Sequence, residues 1–298
     1  MALEKRVAIA GVSGFIGHSL PGLLAPRGMA VTGISRSPGK PMDGVKNWQT
    51  YDSLDLSGHH AVINLAGARV DQRWTEKTRR EIHDSRIGPT RKIVEAIASL
   101  PEGERPAVLV NGSATGFYGD RGDEILTESS APGADFLADV CRDWEAAAME
   151  AGPLGVRVVR LRTGVVLGKE GAAFKKLRLA LGTGLGGKLG TGRQWMPWIH
   201  IDDLRAAIVH ALFSESLDGP VNGTAPAPER NVDLTKKFAA VLHRPAVIPV
   251  PAFALKLALG GFASALLGGQ RAIPAALEAD DFEFRFPDLE SALSDLVG

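Results

Sequence analysis

A single cysteine, Cys141, stands in 298 residues, so no internal disulfide and no cysteine-based metal site can form. Tyrosine is scarce too: Tyr51 and Tyr118 are the only two. Neither sign of charge prevails, because 34 Lys and Arg balance 34 Asp and Glu. Proteins that grip nucleic acid need a basic excess to displace counterions, and that excess is missing, as is a polybasic membrane tether. Long hydrophobic runs are also absent. Residues 7–10 are too short a run for a signal-peptide core. The uncharged stretch 257–270, between Lys256 and Arg271, is shorter than the ~20 residues a spanning helix needs. No His, Asp or Glu cluster has metal-ligand spacing, and there is no GxSxG. These absences point to a cytoplasmic protein with a small-molecule ligand, no metal, no nucleic acid and no membrane. What is present, 45% hydrophobic and 23% charged residues, is an ordinary globular composition.

Strand-like and helix-like patterns alternate through the first half. Residues 6–10, 31–34, 61–66, 107–111 and 156–161 are short apolar runs that read as strands, and 61–66 is apolar enough for a parallel strand covered on both faces. Between them, Ile16, Leu20, Leu23 and Leu24 share a helix face that Gly28 stops. Thr75 can cap a helix to about Ile87, where Gly88-Pro89 interrupts it, and a second piece carries Ile93, Ile97 and Leu100. Phe136, Val140 and Trp144 lie four apart on another helix. The alternation implies an α/β fold with a doubly wound parallel sheet of Rossmann type. The second half differs. Residues 182–192 hold six glycines and read as a mobile loop that could act as a lid. Asp202 reads as the cap of a helix, 220–228 as loop, and 288–297 as a last amphipathic helix. The expected division is a dinucleotide domain over 1–165, to which 198–222 returns, and a smaller, mostly helical substrate domain over 166–197 and 223–298.

Gly11, Gly14 and Gly17 form GxxGxxG between a strand and a helix, the context that a dinucleotide turn requires. The first glycine permits the turn, the second admits a pyrophosphate to the backbone, and the third lets helix and strand pack closely. At the end of the second strand, where a NAD site usually carries an acid, stand Ser35 and Arg36. A hydroxyl and a planar guanidinium suit a 2′-phosphate, which favours NADP. The plain alternative for Arg36 is an exposed turn arginine.

With these residues in place, the chain resembles the extended short-chain dehydrogenase/reductases, which include nucleotide-sugar epimerases. GVSGFIG (11–17) resembles their phosphate loop, and this resemblance adds Ser13, Phe15 and Ile16 to the expected cofactor contacts. INLAG (63–67) resembles the segment beside the adenosine and ribose, implicating Leu65, Ala66 and Gly67. NGSATGFYG (111–119) resembles the strand bearing the catalytic serine, here Ser113. RLRTGVVLG (160–168) resembles the segment near the nicotinamide, implicating Arg162 and Thr163. SRIGPT, FLADVCRDWE, GTGRQWMPWIHIDDL and LLGGQRAIPAAL resemble one atypical subgroup, epimerase-family proteins with their own C-terminal tail. The family's Tyr-x-x-x-Lys is lost. Counting back from Glu145, the tyrosine position falls on Leu137 and the lysine position on Cys141; the supporting asparagine appears as Arg86. Leu137 transfers no proton, and a neutral thiol does no lysine's electrostatic work.

Tyr118, five residues after Ser113, has two readings: a replacement acid aided by Arg86, or a packing residue whose hydroxyl caps a loop. Cys141 is either a small buried hydrophobe or a redox group. Arg86 counts both as a catalytic aid and as a cofactor contact. In GRQWMPWIHIDD (192–203), Arg193 and Trp195 are the expected substrate contacts, and His200 reads as structural. The resemblance implies an NADP(H)-binding, epimerase-like oxidoreductase with an altered proton relay. The alternative is a catalytically silent NADP(H) sensor or interaction protein. It also suggests a homodimer formed through the helices that begin near Thr75 and Ala134.

Overall fold

The computed structural model describes residues 5–37, 40–184 and 186–298. The first half runs β1 (Lys5–Ala10), α1 (Leu20–Leu24), β2 (Met29–Ser35), β3 (Val45–Thr50), β4 (His59–Asn64), α2 (Glu76–Ala98), β5 (Val108–Ala114), β6 (Ile125–Leu126), α3 (Phe136–Met149), β7 (Arg157–Thr163) and β8 (Val165–Leu167). The second runs α4 (Ala172–Gly182), β9 (Trp195–Met196), β10 (Trp198–His200), α5 (Ile201–Phe213), β11 (Gly219–Gly223), β12 (Glu229–Arg230), α6 (Asn231–Val241), α7 (Ala252–Leu259), α8 (Phe262–Leu267), β13 (Arg271–Ala272), α9 (Ala275–Ala279) and α10 (Leu289–Val297). Seven strands form one sheet in the order β11-β7-β5-β4-β1-β2-β3, all pairs parallel. This is the Rossmann-type, doubly wound fold, with a helical C-terminal region. The order reverses between β1 and β4, and in such sheets a crevice opens outside the strand ends there.

The sheet is buried on both faces because successive side chains alternate between them. Val7 and Ile9 of β1 pack with Leu20 and Leu24 of α1 and with Leu204 and Ile208 of α5. Ala8 and Ala10 face the other way, onto Ile93 and Ile97 of α2 and Ala148 of α3. A separate cluster joins α4, α6 and α10 through Phe174, Phe238 and Leu293, with Trp198 among them.

Several elements differ from the sequence expectation. The helix after the glycine turn is only five residues long and is flanked by 3-10 turns, since Pro21 and Pro26 cannot donate to a longer ladder. By contrast, α2 runs unbroken through Pro89. An interior proline costs ~3 kcal/mol, which the buried row Ile82, Ile93, Val94 and Ile97 offsets. Two edge strands, β3 and β11, lack an apolar run; β11 pairs only with β7, and Pro220 is tolerated at an edge. The cap of α5 is His200, whose Nδ1 accepts the Asp202 N–H at 3.2 Å, rather than Asp202. Asp203 instead accepts from the N–H groups of Arg285 and Phe286 at 2.9 Å each. Within the expected lid, Leu185 lies outside the described residues. The C-terminal part of that stretch is tied down: the Gly190 N–H donates to the Val250 carbonyl at 2.8 Å, and the Leu189 N–H to Asn231 Oδ1 at 2.7 Å.

Candidate functional site

The turn after β1 is built for close approach. Gly11 sits at φ +80°, and a Cβ there would lie 2.9 Å from the Leu65 carbonyl. A Cβ on Gly17 would lie 2.4 Å from the Gly11 oxygen. The Gly14 N–H closes the turn on that oxygen at 2.9 Å. From behind, Arg205 of α5 donates to the Phe15 carbonyl at 2.9 Å and to the Ile16 carbonyl at 3.1 Å. Those carbonyls therefore face α5, and a guanidinium charge lies under the turn. Ser13 is exposed, Phe15 packs against Gly168 and Gly171, and Ile16 reaches the central cleft. At the end of β2, the Ser35 hydroxyl donates to the Ser37 carbonyl. Arg36 is exposed and makes no hydrogen bond or ion pair among the described residues. It lies near Tyr51, whose phenol burial pushes up to about 12 against the pull of Arg36.

A cleft of ≈ 370 Å³ opens at the strand ends. Ile16, Leu65, Ala66 and Gly67 wall one end, and Ser113 and Thr163 stand at the ends of β5 and β7. The roof comes from the C-terminal region: Ser264 to Leu266, Gly268 and Gln270. Trp74 holds it by stacking on Phe136 at 5.1 Å and on Phe262 at 5.7 Å. The Gln270 amide donates to the Gly119 carbonyl at 3.0 Å, and the Gln194 amide to the Leu266 carbonyl at 3.0 Å. A wider groove of ≈ 690 Å³ lies outside α5, against Leu23, Phe213 and Phe282. It touches neither the strand ends nor the glycine turn, so the smaller cleft is the site.

Beneath the cleft floor lies a buried ionic network. Ser113 Oγ donates to Glu145 Oε1 at 2.7 Å. Arg162 grips the same carboxylate with two parallel bonds, at 2.8 and 2.9 Å. Arg162 also donates to the Tyr118 hydroxyl at 3.0 Å, and that hydroxyl donates to Asn222 Oδ1 at 2.6 Å. Burial pulls the Arg162 guanidinium down, but Glu145 and Tyr118 more than offset it and leave it above its ordinary value.

This network relocates several expected site residues. Tyr118 is 0% exposed, does not line the cleft, and has its phenol raised by burial, so the geometry corresponds to the packing reading. Arg162, expected at the cofactor, lies under the Phe117 ring at 3.5 Å and is spent on Glu145. Arg193 is exposed and outside the cleft; its carbonyl accepts from Arg230 at 2.6 Å and its N–H donates to Thr191 Oγ1 at 3.3 Å, while its guanidinium has no partner among the described residues. Trp195 does line the cleft, with its indole N–H on Asp123 at 2.7 Å. Leu137, Cys141 and Arg86 line it as well. Sequence reasoning missed Asp120, which lines the cleft and accepts from the Gly122 and Gly269 N–H groups at 3.3 Å each. The Tyr-Gly-Asp run after Ser113 was the available signal.

Cys141 is 3% exposed, and its thiol contacts the Ala114 carbonyl at 3.7 Å. Burial, then the Glu145 charge, push its pKa up to about 11. At pH 7.5 iodoacetamide is expected to label it roughly a hundredfold more slowly than in denaturant, where a free thiol titrates near ~8.5. Mass spectrometry reads this without ambiguity in a one-cysteine chain. Labelling within tenfold of the denatured rate would contradict the neutral, enclosed thiol.

Comparison with known proteins bears on the family and the fold. Residues 7–221 match the model of the NAD dependent epimerase/dehydratase family, and residues 250–296 match a domain of unknown function, DUF1731. The chain is 39% identical over 303 residues to the chloroplastic SDR39U1 homolog of Arabidopsis thaliana, an epimerase family protein, covering 97% of this chain and 86% of that one. It is 38% identical over 300 residues to the epimerase family protein YfhF of Bacillus subtilis, covering 98% of each. The crystal structure of human epimerase family protein SDR39U1 (isoform 2) with NADPH superimposes with a TM-score of 0.90 at 35% identity, covering 98% of this chain and 99% of that one.

Proposed function

Because the chain belongs to the NAD dependent epimerase/dehydratase family, we propose that its cleft binds NADP(H) and serves an oxidoreductase of epimerase-like type acting on a small molecule. One observation carries the cofactor choice: Arg36, without hydrogen bond or ion pair among the described residues, stands at the end of β2, where a NAD site would place an acid. The human relative was solved with NADPH, which supports the same choice. The glycine turn fits a dinucleotide, since a Cβ at Gly11 or Gly17 would strike backbone and open the tight turn that presents its amides to a diphosphate.

In this reading Gly11, Gly14 and Gly17 present backbone to the diphosphate, and Arg205 keeps the loop carbonyls turned away from it. Arg36 holds the 2′-phosphate. Leu65, Ala66 and Gly67 flank the adenosine side, and Thr163 stands beside the reacting end. A nicotinamide bound there would supply or accept hydride. Ser113 offers its lone pairs to the ligand, because its proton is directed at Glu145. Leu137 and Cys141 exclude water there. A second reading, cofactor binding without chemistry, is favoured by one fact. Among the described residues lining the cleft there is no tyrosine, lysine or histidine. Steady hydride transfer to any small carbonyl compound would dispose of it.

The test is calorimetric titration with NADPH and NADH. Charge-assisted hydrogen bonds contribute ~1.5–3 kcal/mol, so Arg36→Ala is expected to weaken NADPH about 10- to 100-fold. NADH affinity should stay within about twofold. Absence of heat with either dinucleotide would refute the reading.

A further inference from the structure

We propose that the cleft takes a planar organic anion, a carboxylate or enolate-type oxyanion on a flat conjugated frame, whose charge pairs with Arg86. The proposal deepens the reading of this cleft as a substrate site and rests on it.

Arg86 lines the cleft and makes no ion pair among the described residues. Its Nη1 donates to the Ile82 carbonyl at 2.8 Å and its Nη2 to the Ala68 carbonyl at 3.1 Å, while its Nε–H has no acceptor among the described residues. The guanidinium packs on Gly67, where an added Cβ would come within 3.0 Å of Cζ, and it lies over the Trp144 ring at 5.2 Å. Two carbonyls and an indole therefore fix the group but leave its charge uncompensated. A partly buried cation without a counter-charge is unfavourable unless something anionic comes to it. Burial lowers its pKa, yet an arginine stays charged at neutral pH.

The rest of the cleft sets the shape of that anion. Leu137, Val140, Trp144, Met196 and Leu266 give it apolar walls suited to a flat ring. Its two carboxylates sit at the other end. Asp120 lies under Gly269, and Asp135 caps α3 through the Ala138 N–H at 2.9 Å beside Gly119. An anion is thus drawn toward the Arg86 guanidinium and repelled from the Gly119 end, so the field orients the ligand as well as holding it.

The test compares 2-naphthoate with its neutral counterpart 2-naphthylmethanol, by calorimetry, on the full chain with and without saturating NADP⁺. Naphthoate is expected to bind at least tenfold more tightly than the alcohol. Arg86→Met should erase that difference in the titration made without NADP⁺. Arg86→Lys keeps the charge without the planar fork and should retain part of the difference, which controls for misfolding. Equal binding of acid and alcohol to the unmodified chain overturns the proposal, as does no binding of either. So does an Arg86→Met variant that keeps the preference. Failure of the unmodified chain to bind NADPH would strike the cofactor reading, not the naphthoate comparison made without it.

Discussion

Gly17→Ala is expected to lower NADPH affinity at least 100-fold while the chain stays folded. The new methyl would sit 2.4 Å from the Gly11 oxygen and 2.8 Å from Val12 Cα. Both neighbours are backbone, so no rotamer change relieves the overlap. The turn must open, and the amides that would meet the diphosphate move with it. Gly22→Ala is the control, because a Cβ at Gly22 meets nothing within 4 Å and alanine favours a helix. Fluorescence titration with NADPH beside a thermal melt separates the two effects. A Gly17→Ala chain that binds within threefold of the original would remove the turn from the site.

The second large effect concerns stability. Arg162→Met leaves Glu145, 3% exposed, without its two-pronged partner; Arg160 remains at 3.5 Å. Breaking a buried pair from one side costs ~3–5 kcal/mol. At ~2–4 °C per kcal/mol for a chain of this class, the melting temperature should fall by about 10 °C. Removing both charges should be milder, since no uncompensated ion is left. Glu145→Met with Arg162→Met is therefore expected to recover part of the loss. Scanning calorimetry of the three variants decides it. A single variant as stable as the original would mean that water already reaches the pair.

The central strands were readable because burial on both faces makes them almost wholly apolar, as in the four buried residues Val7 to Ala10. Edge strands escape such reading: β3 and β11 meet a neighbour on one side only, and neither VKNWQT nor GPVNG holds a continuous apolar run. Pro89 misled in the other direction, because a local helix breaker was outweighed by packing that only the assembled sheet supplies. The glycine turn was legible by its spacing between strand and helix, whereas the exchanges at Leu137, Cys141 and Arg86 are what the family resemblance implies. Arg162 was not legible, because its role depends on register. It lies beside Ser113 across the parallel β5–β7 pair, so both side chains turn toward Glu145. Tyr118 follows the same logic: proximity in sequence to Ser113 said nothing of Asn222, 104 positions away, which holds its hydroxyl.

The roof carries a consequence for how the protein is made. Its ties reach back across the chain, from Gly269 to Asp120 over 149 positions and from Gln270 to Gly119 over 151. A nascent polypeptide leaving the ribosome completes the last strand of its seven-stranded sheet at Gly223, well before those partners emerge. Until Gln270 is out, the apolar crevice stands uncovered, and vectorial synthesis imposes an interval in which chaperones, rather than the protein's own tail, must shield it.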